Sequence, residues 1–171
     1  YNELKVAVIN LQGRAFMKAI DCPYRKADEI LEQLNNKAQI ILVDFHAEAT
    51  AEKVAFGRYA DGRVSAVCGT HTHIQTGDER ILAGGTAPLT DAGFTGPHNS
   101  VIGMDADGAI QRFLVQIPQK YKLGRGDVRL NGVLFTIDTK TGSTTAIQRL
   151  NVPAPPDVED EAHCGDVTIP V

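Results

Sequence analysis

Three of the five histidines in this 171-residue chain fall in two short runs rich in groups that bind metals. One run is Asp44-Phe45-His46-Ala47-Glu48 and the other is Gly69-Thr70-His71-Thr72-His73. Neutral imidazole suits zinc, iron and manganese, and a pair of metals sharing ligands needs several such donors close together. In extended backbone, residues i and i+2 point to the same side, so His71 and His73 are expected to present two rings to one site, with Thr72 turned away. A lone histidine at a strand end commonly serves as a hydrogen-bonded structural residue. Three that converge read as ligands. Asp44 and Glu48 flank His46, and either carboxylate could orient an imidazole from behind. Glu48 could equally favour the dipole of a following helix.

For these runs to meet, the elements before them must be neighbouring parallel strands. Leu4–Leu11 (LKVAVINL) reads as a buried strand, followed by Gly13. Asp21 is placed to cap a helix over Pro23–Leu34, whose apolar Ala27, Ile30, Leu31 and Leu34 recur at helical spacing; Asn35-Asn36 ends it. Ala38–Phe45 (AQIILVDF) is the strongest strand pattern. Thr50 caps a second helix over Ala51–Tyr59, stopped by Asp61-Gly62, and Ser65–Gly69 is a third strand. Strand–helix–strand–helix–strand order implies parallel pairing, and both histidine runs then lie beyond carboxyl ends of strands, where open α/β sheets place their ligands. The fold class is therefore α/β.

After His73 the pattern changes. Gly84-Gly85, Gly93, Gly96-Pro97 and Gly103 break the middle third into short strands and loops, within which Asp91 and His98 sit. Aspartate in a loop often serves the turn itself, although loops also carry function. Ala109–Ile117 reads as a helix ended by Pro118, and Val128–Ile137 with Ser143–Leu150 as a hairpin about Asp138-Thr139-Lys140-Thr141-Gly142. Residues 152–171 form a proline-rich, acidic tail expected to be an extended arm, separate from a domain over residues 1–151. His163-Cys164 lies in that tail and receives no role.

Composition narrows the function classes. The formal charge of −4 gives no electrostatic case for non-specific nucleic-acid binding. Apolar runs such as Ile40–Val43 are too short to span a bilayer, and Tyr1–Leu11 lacks the form of a signal peptide. Cys22, Cys68 and Cys164 are widely spaced and odd in number, which fits a reducing cytoplasm rather than a disulfide framework. Cys68, within an apolar strand, reads as core.

Longer motifs carry a family likeness. Asp44-Phe45-His46-Ala47-Glu48-Ala49-Thr50 with Glu52-Lys53, and Gly69-Thr70-His71-Thr72-His73-Ile74-Gln75-Thr76, are continued by Asp78-Glu79-Arg80-Ile81-Leu82, Gly84-Gly85-Thr86 and Thr90-Asp91-Ala92-Gly93. With Thr95-Gly96-Pro97 and Ser100-Val101-Ile102-Gly103-Met104, they resemble the YmdB-type branch of the calcineurin-like metallophosphoesterases, a bacterial family, from about Leu4 to Asn151. The resemblance implies a four-layer α/β/β/α sandwich of which this chain is the carboxyl-terminal part. It implies two divalent metals, iron or manganese with zinc as an alternative, and hydrolysis of phosphodiesters such as 2′,3′- or 3′,5′-cyclic AMP. His46 and His71 would bind one metal and His73 the other, with Asp44, Glu48 and Asp91 as candidate carboxylates behind them. The family's amino-terminal Gly-Asp, Glu-Asn and Asn-His motifs, including the proton donor, have no counterpart here. The isolated chain is thus expected to be inactive. Its expected partners are a small phosphodiester, the amino-terminal segment or a chain supplying it, and further copies in a homo-oligomer.

Three rivals stand beside this reading. A metal-dependent amidohydrolase would place its His-x-His after the first strand of a barrel of ~250 residues. A closed structural metal site would normally add cysteine, and none lies at suitable spacing. A regulatory or interaction module could keep the fold without catalysis.

Overall fold

The computed structural model describes residues 4–35, 37–118 and 120–155. Ten elements follow one another: β1 Val6–Gln12, α1 Pro23–Leu34, β2 Ile40–His46, α2 Thr50–Tyr59, β3 Ala66–Thr70, β4 Ala87–Leu89, β5 Gly96–Pro97, α3 Ala106–Val115, β6 Val128–Ile137 and β7 Thr144–Pro153. The described residues divide into two compact units, those within 4–93 with 133–149, and those within 94–132 with 150–155. A mixed α/β fold with a parallel sheet is what the strand–helix alternation requires.

In the first unit, the sheet runs β1-β2-β3-β4 with every neighbouring pair parallel. Its register sets Asn10 beside Asp44, Gln12 beside His46, and His46 beside Thr70. Ile9, Leu11, Val43, Phe45 and Val67 turn to one face and form the core with Ala27, Phe56 and Ala60 of the α1 and α2 segments. Phe45 and Phe56 are fully buried and stack at 4.2 Å, while Tyr24 meets Phe56 edge-on. Because side chains alternate along a strand, Asp44 and His46 stand on the opposite face from Phe45.

The helix limits differ from the sequence expectation at their caps. Cys22, not Asp21, is the N-cap of α1, and it makes no side-chain cap bond. Pro23 explains this: it occupies the first turn and forces the preceding residue into the extended region, leaving Asp21 one position too far out. Asn35 closes the helix in the left-handed conformation, as its type favours. Thr50 is the first residue of α2, with Ala49 as its cap. β4 is an addition: Ala87–Leu89 is too short to show a period of its own.

The hairpin β6–β7 turns at Asp138–Ser143, where Asp138 N–H donates to the Ser143 carbonyl and Gly142 N–H to that of Asp138. In the first unit, buried Thr144 donates its hydroxyl to the Ser65 carbonyl at 2.7 Å. The three-stranded order is β5-β6-β7, and in the second unit β5 pairs antiparallel with the start of β6. Its helix begins at Ala106 rather than Ala109, since Asp105 caps it by accepting from Gly108 N–H at 3.0 Å. It ends before Ile117 because Gln116 turns left-handed. No helix among the described residues is long and apolar enough to cross a membrane. Of the expected tail, residues 156–171 lie outside the described residues, and β7 extends to Pro153.

Gly69 is the tightest point of the sheet. A Cβ there would stand 1.7 Å from the Thr90 carbonyl oxygen, which belongs to backbone that follows β4. Gly69→Ala should destabilise the protein by about 3 kcal/mol, since a rigid main chain must move to admit the methyl. A Tm unchanged within a degree in thermal unfolding would refute that packing.

Candidate metal centre

The two histidine runs meet at the carboxyl edge of β2 and β3. His46, the last residue of β2, and His71, just past β3, approach with Nε2 of the first 3.0 Å from Nδ1 of the second. Their rings are nearly perpendicular, with centroids 4.8 Å apart.

The remaining ring nitrogens are both committed. His71 Nε2 lies 2.7 Å from Glu48 Oε2. A carboxylate can only accept, so His71 carries its proton on Nε2. His46 Nδ1 lies 3.0 Å from Thr70 Oγ1, and that hydroxyl already gives its single proton to Asp44 Oδ1 at 2.9 Å. Thr70 must therefore accept from His46 Nδ1–H. Asn10 Nδ2 donates to the other oxygen of Asp44 at 2.7 Å. With both rings neutral and their outer N–H groups so used, the two facing nitrogens would direct lone pairs at each other. A positive species, either a proton or a metal ion, relieves that contact, and two neutral imidazoles with fixed outer nitrogens supply two of the ligands that a metal ion needs. The donor set fits such a group.

His73 departs from the sequence argument. The chain leaves the extended region after Thr70: His71 has φ 123° and His73 φ 62°, and the stretch is a series of bends. The i, i+2 rule for strands does not govern it. His73 is exposed, and no third histidine, cysteine, aspartate or glutamate among the described residues joins His46 and His71 in a cluster able to hold a metal.

What bends the loop is Asp91. Its fully buried carboxylate accepts from Thr72 N–H at 2.9 Å and Gly93 N–H at 3.0 Å, and pairs with Lys53 Nζ at 2.8 Å. The side chains of Lys53 and Asp91 are 2% and 0% exposed. Thr72, between the two histidines, is thus tied to the interior. Asp44 and Glu48 each lie behind a histidine, whereas Asp91 acts on backbone. His98 belongs to the second unit, where it stacks on Phe94.

Sequence reasoning missed Lys53, Thr70 and Asn10. Register alone could have found Thr70 and Asn10, because they neighbour His46 and Asp44 once the strands are aligned. In the sequence, Glu52 shows only as part of the family motif. Its carboxylate accepts from Arg14 and Ala15 N–H, fastening the loop after β1 beside Gly13, where a Cβ would meet Ala47 and Glu52 at 2.5 Å. Burial pushes the Cys68 thiol up to about 11, helped by Asp44 and Asp91, so it stays protonated at neutral pH and is no nucleophile.

Removing one partner of a buried ion pair strands the other. Lys53→Met should cost about 3–5 kcal/mol in urea unfolding, and Lys53→Met/Asp91→Asn less than the sum of the single changes. Strict additivity would show that the pair is not coupled.

A family model described as "YmdB-like protein" matches residues 1–150. The 2′,3′-cyclic-nucleotide 2′-phosphodiesterase of Bacillus subtilis (strain 168) is 48% identical over 149 residues, covering 87% of this chain and 56% of that protein. A crystal structure of a hypothetical protein from Thermus thermophilus superposes with a TM-score of 0.81 at 39% identity, over 88% of this chain and 58% of the other. That of a novel phosphatase from Mycoplasma pneumoniae gives 0.79 at 33% identity, over 92% and 57%. The chain spans a little over half the length of these relatives. By sequence and by fold, it belongs to the YmdB-like family.

Proposed function

We propose that this chain supplies the histidine side of a dinuclear metal centre in a phosphodiesterase acting on cyclic nucleotides. His46 and His71 hold one metal, and His73 turns to the other when the remaining ligands are present. The observation that carries this reading is the pair of inner ring nitrogens, His46 Nε2 and His71 Nδ1, held 3.0 Å apart while each outer nitrogen faces an acceptor, Thr70 Oγ1 or Glu48 Oε2. Iron or manganese suits the set, with zinc as an alternative. Bound there, divalent ions supply positive charge for a phosphoryl oxygen and bring the pKa of water from ~15.7 to about 7.

This chain's residues supply position. Glu48 and Thr70 fix the ring faces of His71 and His46, and the Lys53–Asp91 pair fixes the loop between His71 and His73. The outer N–H groups of His46 and His71 are directed at Thr70 and Glu48, not at a leaving alkoxide. The proton donor and the bridging carboxylate belong to an amino-terminal part, with which the chain completes a four-layer sandwich. The sheet itself supports a covering layer. Val6 and Val8 lie on the face of Asp44 and His46, and Val8 is 74% exposed, whereas parallel sheets are ordinarily covered on both faces. The relatives' greater length provides for it. The metal-binding part falls within residues 1–151, and β7 carries the chain on to Pro153. The name of the Bacillus relative supports 2′,3′-cyclic nucleotides as substrates, and 3′,5′-cyclic AMP is the second candidate.

The test is metal analysis and hydrolysis by the complete protein. It should cleave 2′,3′-cyclic AMP well ahead of a phosphomonoester. His71→Ala should lower metal content and kcat/KM together, by about 100-fold in activity. Full activity in His71→Ala, or cleavage of the monoester alone, would refute the proposal.

A further inference from the structure

We infer that Thr70, backed by Asp44 and Asn10, is the positioning residue that sets His46 as an Nε2 donor. An isolated neutral imidazole can carry its proton on either nitrogen. Only the form with Nδ1 protonated leaves His46 Nε2 free to face His71. The selection is made by a chain of single-proton commitments. Asn10 Nδ2 and the Thr70 hydroxyl both donate to the Asp44 carboxylate, at 2.7 and 2.9 Å. Thr70 Oγ1 then has only lone pairs left for His46 Nδ1, 3.0 Å away. Reversing the ring would set two lone pairs, those of Oγ1 and Nδ1, against each other.

The relay is built into the sheet. Asn10 is the register partner of Asp44, and Thr70 that of His46, across three adjacent parallel strands. All four residues stand on one face, so their spacing is set by the backbone ladder rather than by a loop. Rigid elements hold a functional group more closely than loops do. The carboxylate acts through the hydroxyl, making the imidazole a better electron donor as well as orienting it. A serine in place of Thr70 keeps the hydroxyl, and a valine keeps the shape without it.

This inference rests on His46 being a metal ligand, and the measurement separates the two. In the metal-stripped complete protein at about pH 9, the ring 15N shifts report directly which nitrogen of His46 carries a proton. The His46 signals are identified by their loss in His46→Gln. Wild type should show His46 protonated at Nδ1 and bare at Nε2. Thr70→Val should show both tautomers and a Kd for Mn²⁺ raised about 10–100-fold, while Thr70→Ser stays within about twofold of wild type. A wild-type ring protonated at Nε2 overturns the inference, as does a Thr70→Val protein with unchanged shifts. Undiminished Mn²⁺ binding in His46→Gln would remove the metal reading while the ring shifts still decide the relay.

Discussion

The Lys53–Asp91 ion pair is the constraint on which the site's shape depends. Lys53 comes from α2 and Asp91 from the segment after β4, so the pair joins the helix to the carboxyl end of the edge strand. Burying two charges is costly unless each is well paired, and the carboxylate here is also met by two backbone N–H groups. One of those, on Thr72, lies between His71 and His73. The left-handed angles at His71 and His73 are backbone strain of order 1–3 kcal/mol each, and such strain persists only when surrounding bonds over-determine it. Asp91 provides that determination. A neutral pair at these positions would pack well enough, but it would hold Thr72 N–H far less firmly.

With the loop fixed, the chemistry comes down to where protons sit. Each histidine meets its neighbours through both nitrogens, and each outer contact has only one sense. Glu48 can only accept, and Thr70 has spent its proton on Asp44. The two inner nitrogens are left as bases facing one another. Preorganisation of this kind places the cost of aligning two ligands in folding rather than in binding. It also explains why carboxylates surround the histidines without converging on a common point with them: they act on the outer nitrogens, and the inner ones are kept for something positive.

Much of this was legible from the sequence. α1 runs over Pro23–Leu34 as its apolar spacing indicates, and β2 and β3 end within a residue of expectation. Parallel order followed from the intervening helices, and the YmdB likeness holds over residues 1–150. The caps were not legible, because Pro23 moves the extended residue to Cys22 and Asp105 captures α3 three residues early. The bend at His71–His73 was also hidden. A strand rule was extended past Thr70, and the residue that breaks it, Asp91, is distant in sequence and acts on a backbone N–H. Side-chain partners that depend on register, such as Thr70 and Asn10, become visible only once strands are aligned.

The same register explains why the site lies on the face it does. Odd positions of β1 and β2, Ile9, Leu11, Val43 and Phe45, go to the helices, where apolar area can be buried. Even positions alternate in character along the strand. Near the amino end they are apolar, Val6 and Val8, and near the carboxyl end they are polar, Asn10, Asp44 and His46. A face that turns from apolar to polar along its length fits a covering layer over one end and a polar cleft at the other. Parallel strands put all their carboxyl ends at one edge, so the polar ends of β1, β2 and β3 coincide. An antiparallel arrangement of the same strands would have scattered Asn10, His46 and Thr70 to opposite edges. The parallel crossovers through α1 and α2 are therefore the reason a proton relay and a two-nitrogen site can exist here at all.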